Sequence, residues 1–473
     1  MRKYSISRTL FFSIGLFTAT TLYGQEEEVT FTKDAIHYYQ YDQDFLPASF
    51  HKARRDSLRE LLPDSTAAVF FSAPERNRSN DVYYEYHQDP NFYYLTGLRE
   101  PNSMVIIYKE EQLLDSRATN EVLFIQDRSP ASELWNGRRI GKAGAEASLE
   151  FISVVINKDF LNFDPKFSSL KKVYYQKPHA LEELDSSTTD NLNGLFVQFK
   201  NKAEALVETD EKKIALRMAK LRQVKTQKEI DLIKKAIDIT CEAQNNLMKQ
   251  ITAKMTEYQT EAITEYTFKS NGAEYTGFPS IQGSGENSCI LHYTSNRRPL
   301  KNGGLLVSDV GAEYRGYSAD VSRTIPPTGK FSEEEKIIYK IVLDAQKAGI
   351  DSCKVGNSFW SAHIVAKRII AAELIKLKII KNERELSKYF PHGTSHYLGL
   401  DVHDAGIYSL LEEGNVITVE PGIYIAEGSD CDPKWWNIGV RIEDDILITK
   451  EGPVNLSSAA PKEIMEIETL MSK

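Results

Sequence analysis

The chain is short of several things, and each shortage excludes a class of protein. Its 473 residues include four cysteines, Cys241, Cys289, Cys353 and Cys431. They are too few and too scattered for a disulfide scaffold, and with no CxxC pair a thiolate zinc site is not expected either. It has no excess of positive charge: the net charge of −9 argues against a nucleic-acid surface, which needs clustered Lys and Arg. One basic run, Lys212 to Lys225, contains no acid, but Glu208, Asp210 and Glu211 precede it and Glu229 and Asp231 follow, so it reads as a solvated helix face. Long apolar runs are missing as well. The stretch Leu10 to Leu22 has 13 residues, where a membrane-spanning helix needs about 20.

That stretch follows Arg2, Lys3 and Arg8 and precedes Gly24-Gln25-Glu26-Glu27-Glu28, the pattern of a secretory signal peptide over 1–24, cut near Gly24. The mature chain is expected to be exported, periplasmic or secreted, and not inserted in the membrane; an uncleaved anchor is the alternative. With 41% apolar and 26% charged residues the remainder is globular, and its length calls for two domains. Residues 25–50 form an extension without clear periodicity. Short apolar runs bounded by Pro, Gly and Asn predict strands at Ala67–Phe71, Asn91–Gly97 and Met104–Tyr108, with helices at Lys52–Leu62 and about Ala145–Glu150. This is an α/β domain over 51–210, joined by a helical connector over 211–225. The capping box Thr226-x-x-Glu229 opens a second domain, 226–473; a second box, Ser332-x-x-Glu335, starts another helix, and a third runs from about Phe359 to Leu377.

Between those helices lie Gly-rich strands that carry acids where acids are costly. In Leu305 to Asp320 a tight turn near Tyr314 and Arg315 predicts two strands that set Asp309 opposite Asp320. Facing carboxylates repel unless a cation bridges them. Glu420 and Glu443 each lie inside a strongly apolar strand, where an unpaired carboxylate costs several kcal/mol, roughly. Arg441 is available to Glu443, whereas Glu420 has no comparable local partner. Pro391 to Asp404 holds three of the chain's nine histidines, His392, His396 and His403. His392 and His396 have zincin spacing, but Gly393 stands where the zincin glutamate is required, so a Gly-punctuated loop fits better than a helix. Four carboxylates and an imidazole suit Mn²⁺, Fe²⁺, Co²⁺ or Zn²⁺.

This ordered set, Asp309, Asp320, His396, Glu420 and Glu443, resembles the ligand set of the pita-bread (creatinase/methionine aminopeptidase-like) metallopeptidases. The resemblance is nearest to the Xaa-Pro aminopeptidases, the aminopeptidase P family. It extends to Gly283-Ser-Gly-Glu-Asn287 leading to His292-Tyr293, to His392-Gly-Thr-Ser-His396-x-Leu-Gly-Leu-Asp-Val-His403-Asp404 and to Arg441-Ile-Glu443-Asp-Asp. In the N-terminal domain it includes Asn91-Phe-Tyr-Tyr-Leu-Thr-Gly97 and Glu133-Leu-Trp-Asn-Gly-Arg-Arg139, so it covers about 50–470. His87, Ser308 and Val310 depart from the family pattern without removing a ligand.

The resemblance implies an α/β domain followed by an α+β pita-bread catalytic domain. It also implies two divalent ions, manganese first, with zinc or cobalt as alternatives. Asp309 would hold one ion, His396 and Glu420 the other, and Asp320 and Glu443 would bridge. A water between the ions would be the nucleophile, and Glu420 its general base. His292 and His403 would bond the scissile carbonyl oxygen and the proline side of the substrate, His392 would line the pocket, and Arg441 would orient Asp320 or Glu443. The implied substrates are peptides with proline in second position, cleaved at Xaa–Pro, by a homo-oligomer (dimer or tetramer) in which Trp135 closes a neighbouring subunit's pocket. A prolidase, restricted to dipeptides, is the nearer alternative; Thr394-Ser395-His396-Tyr397 leans away from it. A metal-free, peptide-binding pita-bread domain is the distant one.

Overall fold

A computed structural model describes residues 42–114, 116–179, 181 and 186–472. The signal peptide and most of the 25–50 extension lie outside the described residues. Among those described, no helix is long and apolar enough to cross a membrane, and the four cysteines are free thiols.

The N-terminal part is built on a six-stranded sheet, ordered Val154–Ile156, Arg117–Ile125, Met104–Leu114, Thr66–Phe71, Lys172–Tyr175 and Glu208–Asp210. Thr66–Phe71 pairs antiparallel with Met104–Leu114 and parallel with Lys172–Tyr175. It is buried along its whole length, as the unbroken apolar run 67–71 requires of a central strand.

The run at 91–97 is not a strand. Pro90–Thr96 is a helix: the Asp89 side chain accepts the Phe92 N–H, Pro90 occupies the first turn, and Gly97 closes the end at φ 71°. A Pro inside the start and a left-handed Gly past the end are helix punctuation, and they override the β-propensity of Phe-Tyr-Tyr. This helix buries Phe92, Tyr93, Tyr94 and Leu95 in a cluster shared with Leu232, Ile233 and Ile237 of the long helix Gln227–Gln250, which joins the two halves through one core.

In the C-terminal part, four long helices, Gln227–Gln250, Glu257–Ser270, Glu333–Asp351 and Ser361–Lys376, accompany small antiparallel sheets. Both predicted capping boxes form. Strand Leu306–Val310 lies between Ile281–Ser284 and Val321–Ile325. The hairpin turns at Arg315 and Gly316, both at positive φ, the signature of a tight two-residue connection. Its register pairs Asp309 with Ser322, not with Asp320. Asp320 sits two residues before that partner, hence diagonally on the same face. Gly311 makes this crossing possible, because a Cβ there would fall 1.8 Å from the Ala319 carbonyl oxygen.

Candidate metal centre and catalytic cavity

The acids converge because three separate strand ends meet. Asp309 comes from Leu306–Val310, Glu420 directly follows Val416–Val419, and Glu443 lies between Ile438–Arg441 and Asp444–Thr449. Together with Asp320, His292, His392, His396, His403 and Arg441 they line one cavity of about 600 Å³, so every site residue expected from the sequence faces the same space. Phe278, Pro279, Ile281, Leu291 and Val402 form its apolar wall.

Asp320, His396 and Glu443 each offer a donor atom within 4.8 Å of the others. The Nδ1 of His396 lies 3.1 Å from the Tyr397 carbonyl oxygen. A carbonyl only accepts, so Nδ1 carries the proton and the Nε2 lone pair faces Asp320 Oδ2 at 3.4 Å and Glu420 Oε1 at 3.8 Å. Asp309 Oδ1 and Asp320 Oδ1 are buried without a hydrogen-bond partner. Lone pairs from an imidazole and several carboxylates that converge in this way repel unless a proton or a cation lies between them.

The electrostatics agree. Burial, then the charges of Asp309, Asp445 and Glu420, raise the Asp320 carboxyl well above its ordinary range. Burial, then Asp320, Glu420 and Asp309, do the same to Glu443. Burial lifts Glu420 to about 7, partly offset by His396 and Arg441. Burial, then Arg441, lowers His392 to about 4, and burial, then His396 and His292, lowers His403. Both rings are therefore neutral at physiological pH.

Arg441 does not pair with Asp320 or Glu443 as expected. Its Nη2 donates to Asp309 Oδ2 at 2.5 Å, and it reaches Glu443 only through Ser322, whose Oγ accepts from Arg441 Nε at 2.9 Å and donates to Glu443 Oε2 at 2.8 Å. The same guanidinium donates to the Tyr424 hydroxyl at 3.1 Å, and that hydroxyl donates to His392 Nε2 at 2.9 Å. Ser322 and Tyr424 are functional neighbours that the sequence reading missed. Ser322 was discoverable, two residues from Asp320 on one strand face; nothing local marks Tyr424.

A model of metallopeptidase family M24 matches residues 231–450, and one described as the aminopeptidase P N-terminal domain matches 51–174. A protein of Haemophilus influenzae named Xaa-Pro aminopeptidase is 35% identical over 439 residues, covering 90% of this chain and 98% of its own.

This chain belongs to metallopeptidase family M24.

An Escherichia coli protein of the same name is 35% identical over 446 residues, covering 88% of this chain and 96% of its own. Among solved structures, zinc-substituted E. coli aminopeptidase P in complex with product superposes with a TM-score of 0.80 at 34% identity, covering 90% of this chain and 98% of that one. The pita-bread fold expected of the catalytic half is therefore present. M24 metallopeptidases use divalent metal ions, and the converging lone pairs and partnerless buried oxygens fit such ions.

Proposed function

We propose that this M24 member is a metal-dependent exopeptidase that removes the N-terminal residue from peptides with proline in second position. The observation that carries this is the cavity itself: the buried carboxylates of Asp309, Asp320 and Glu443, the partly exposed Glu420 and the His396 lone pair converge beneath an apolar wall. Asp309 would hold one ion, His396 and Glu420 the other, with Asp320 and Glu443 shared. When bound, two divalent ions supply an activated water and a Lewis acid for the carbonyl.

The chain's own groups supply the rest. Glu420, with its carboxyl lifted toward neutrality, can take a proton from the attacking water and deliver it to the departing nitrogen. His292 and His403 present ring N–H groups where the carbonyl oxygen gains charge. Tyr424 holds His392 in a fixed tautomer, because His392 Nδ1 donates to the Gly393 carbonyl at 2.6 Å. The wall of Phe278, Pro279, Ile281, Leu291 and Val402 suits a proline ring, which has no N–H for a polar site to read. An acidic pocket also attracts the substrate's free amine, which limits cleavage to the first bond.

The deciding assay presents the metal-loaded protein with Xaa-Pro-Xaa tripeptides and Xaa-Pro dipeptides. Release of Xaa from the tripeptide is expected; turnover of the dipeptide alone would make it a prolidase. Manganese is our choice of native metal, since carboxylate oxygens predominate among the donors; greater activity on reconstitution with zinc or cobalt would replace it. Two further readings belong to the whole chain. The leader Arg2 to Leu22 directs export, checked by N-terminal sequencing of the processed protein. Trp135, 86% exposed, lies at a contact between copies in a dimer or tetramer, checked by light scattering on Trp135→Ala.

A further inference from the structure

The basic run 212–225 is not uniformly a solvated face. Arg222 and Lys225, at its C-terminal end, are 3% and 5% exposed. Buried cations are costly unless paired, and both converge on one buried carboxylate, Asp404. Lys225 Nζ donates to Asp404 Oδ2 at 2.6 Å, and Arg222 Nη2 donates to Asp404 Oδ1. Arg222 Nη2 also reaches Asp401 Oδ2 at 3.1 Å, and its Nη1 donates to Asn91 Oδ1 at 2.8 Å, on the N-terminal helix Pro90–Thr96.

Asp401 and Asp404 bracket a short turn. The backbone secures it as well: Asp404 N–H donates to the Tyr397 carbonyl at 2.8 Å, and Gly399 N–H to the Asp401 carbonyl at 3.1 Å. Only glycine fits at 399, since a Cβ there would stand 2.3 Å from Asp404 Oδ2 and 3.0 Å from Lys225 Cε. His403 rides on this turn. Among the described residues its ring makes no hydrogen bond, only an edge contact with His396 at 4.4 Å between centroids. Its place in the cavity is therefore set by the backbone beneath it.

We infer that Arg222 and Lys225 are positioning residues for His403, acting through Asp404, and that Asn91 ties this placement to the N-terminal domain. The inference rests on the role given to His403 under Proposed function. A misplacement of about 1 Å at a catalytic group can cost on the order of a hundredfold in rate. Lys225→Met is expected to lower kcat by roughly ten- to a hundredfold, with KM and metal content nearly unchanged. In a His403→Ala background the same substitution should cost less than about twofold more, because residues acting on one group are not additive. An undiminished loss in that background would make the clamp purely structural and overturn the inference. A second readout needs no activity: the His403 ring resonance, identified by its absence in His403→Ala, should shift in folded Lys225→Met. An unmoved resonance overturns the inference too. If His403→Ala turns over normally, the role given to His403 fails, and the resonance still decides the positioning. Should Lys225→Met not fold, Asp401→Ala, which removes the Arg222 contact from a half-exposed side chain, carries both measurements.

Discussion

Glu443 and Asp444 are consecutive, both buried, and electrostatically opposite. Successive residues of an extended chain point to opposite faces. Glu443 turns into the cavity, where burial and three other acids push its carboxyl up. Asp444 turns the other way, into a shell of donors: Arg323 at 2.7 Å, Gln346 at 2.7 Å, Asn455 at 2.8 Å, Ser457 at 2.9 Å, and Lys462. Burial alone would raise it, but Arg323 and Lys462 hold it well below the usual carboxylate range. One acid is neutralised by the protein; its neighbour is left for something the protein does not contain. A buried carboxylate alone therefore does not mark a metal site. What marks it is an incomplete set of donors on a carboxylate that faces other acids and an imidazole lone pair across one cavity.

The strongest way to break this contrast is Asp320→Ala on the cavity side. We expect kcat/KM to fall about a thousandfold, ~4 kcal/mol of transition-state stabilisation, with metal content reduced and the far-ultraviolet circular dichroism retained. Near-normal turnover would sink the two-metal reading. On the other side, Asp444→Asn should lower stability by about 3 kcal/mol, since it leaves the buried Arg323 and the part-buried Lys462 without their anion. The metal affinity of the folded protein should stay close to that of the parent. Thermal unfolding together with metal titration checks both, and loss of metal at unchanged stability would reverse the assignment.

The smallest effect separates the two sides by pH in metal-free protein. Glu420 binds its proton more tightly in the folded chain, at about 7 against 4.5 for the ordinary group. Its ionisation therefore removes stability as pH rises through that window, and stability returns as pH falls from about 7 to about 5. Asp444 contributes in the opposite sense and only lower, losing its stabilisation as pH falls below the ordinary value of 3.8. His51 and His392, each lowered to about 4, oppose the Glu420 gain within the same window, so the comparison is with metal-free Glu420→Gln. Between about pH 7 and pH 5 the parent's Tm should rise by roughly a few degrees relative to that variant. A constant gap would remove Glu420 as the group responsible.

Much of the site was legible because its signals are local. An acid within an apolar stretch is anomalous wherever the strand goes, so Glu420 and Glu443 stand out, as does the crowding of histidines in 392–403. The apolar run of helix Pro90–Thr96 has the composition of a strand, and the cap at Asp89, the proline at 90 and the left-handed Gly97 outweigh it. Other features had no local signal. The register that sets Asp309 against Ser322 depends on where the turn closes. The Arg441–Asp309 bond joins residues 132 positions apart, and Arg222 finds Asp404 across 182.

By itself the sequence determined the inventory: which strands are apolar enough to be buried, which acids lie within them, where helices start, and which side chains can bind a metal. These are properties of residues and of spacings within a few turns, which propensity and periodicity express directly. Only the tertiary structure decided who partners whom. Whether a buried acid meets an arginine or a group of other acids depends on strand register and domain packing, and those are set by burial summed over the whole core. Arg441 with Asp309, Ser322 between Arg441 and Glu443, and the burial of Arg222 and Lys225 all follow from that packing.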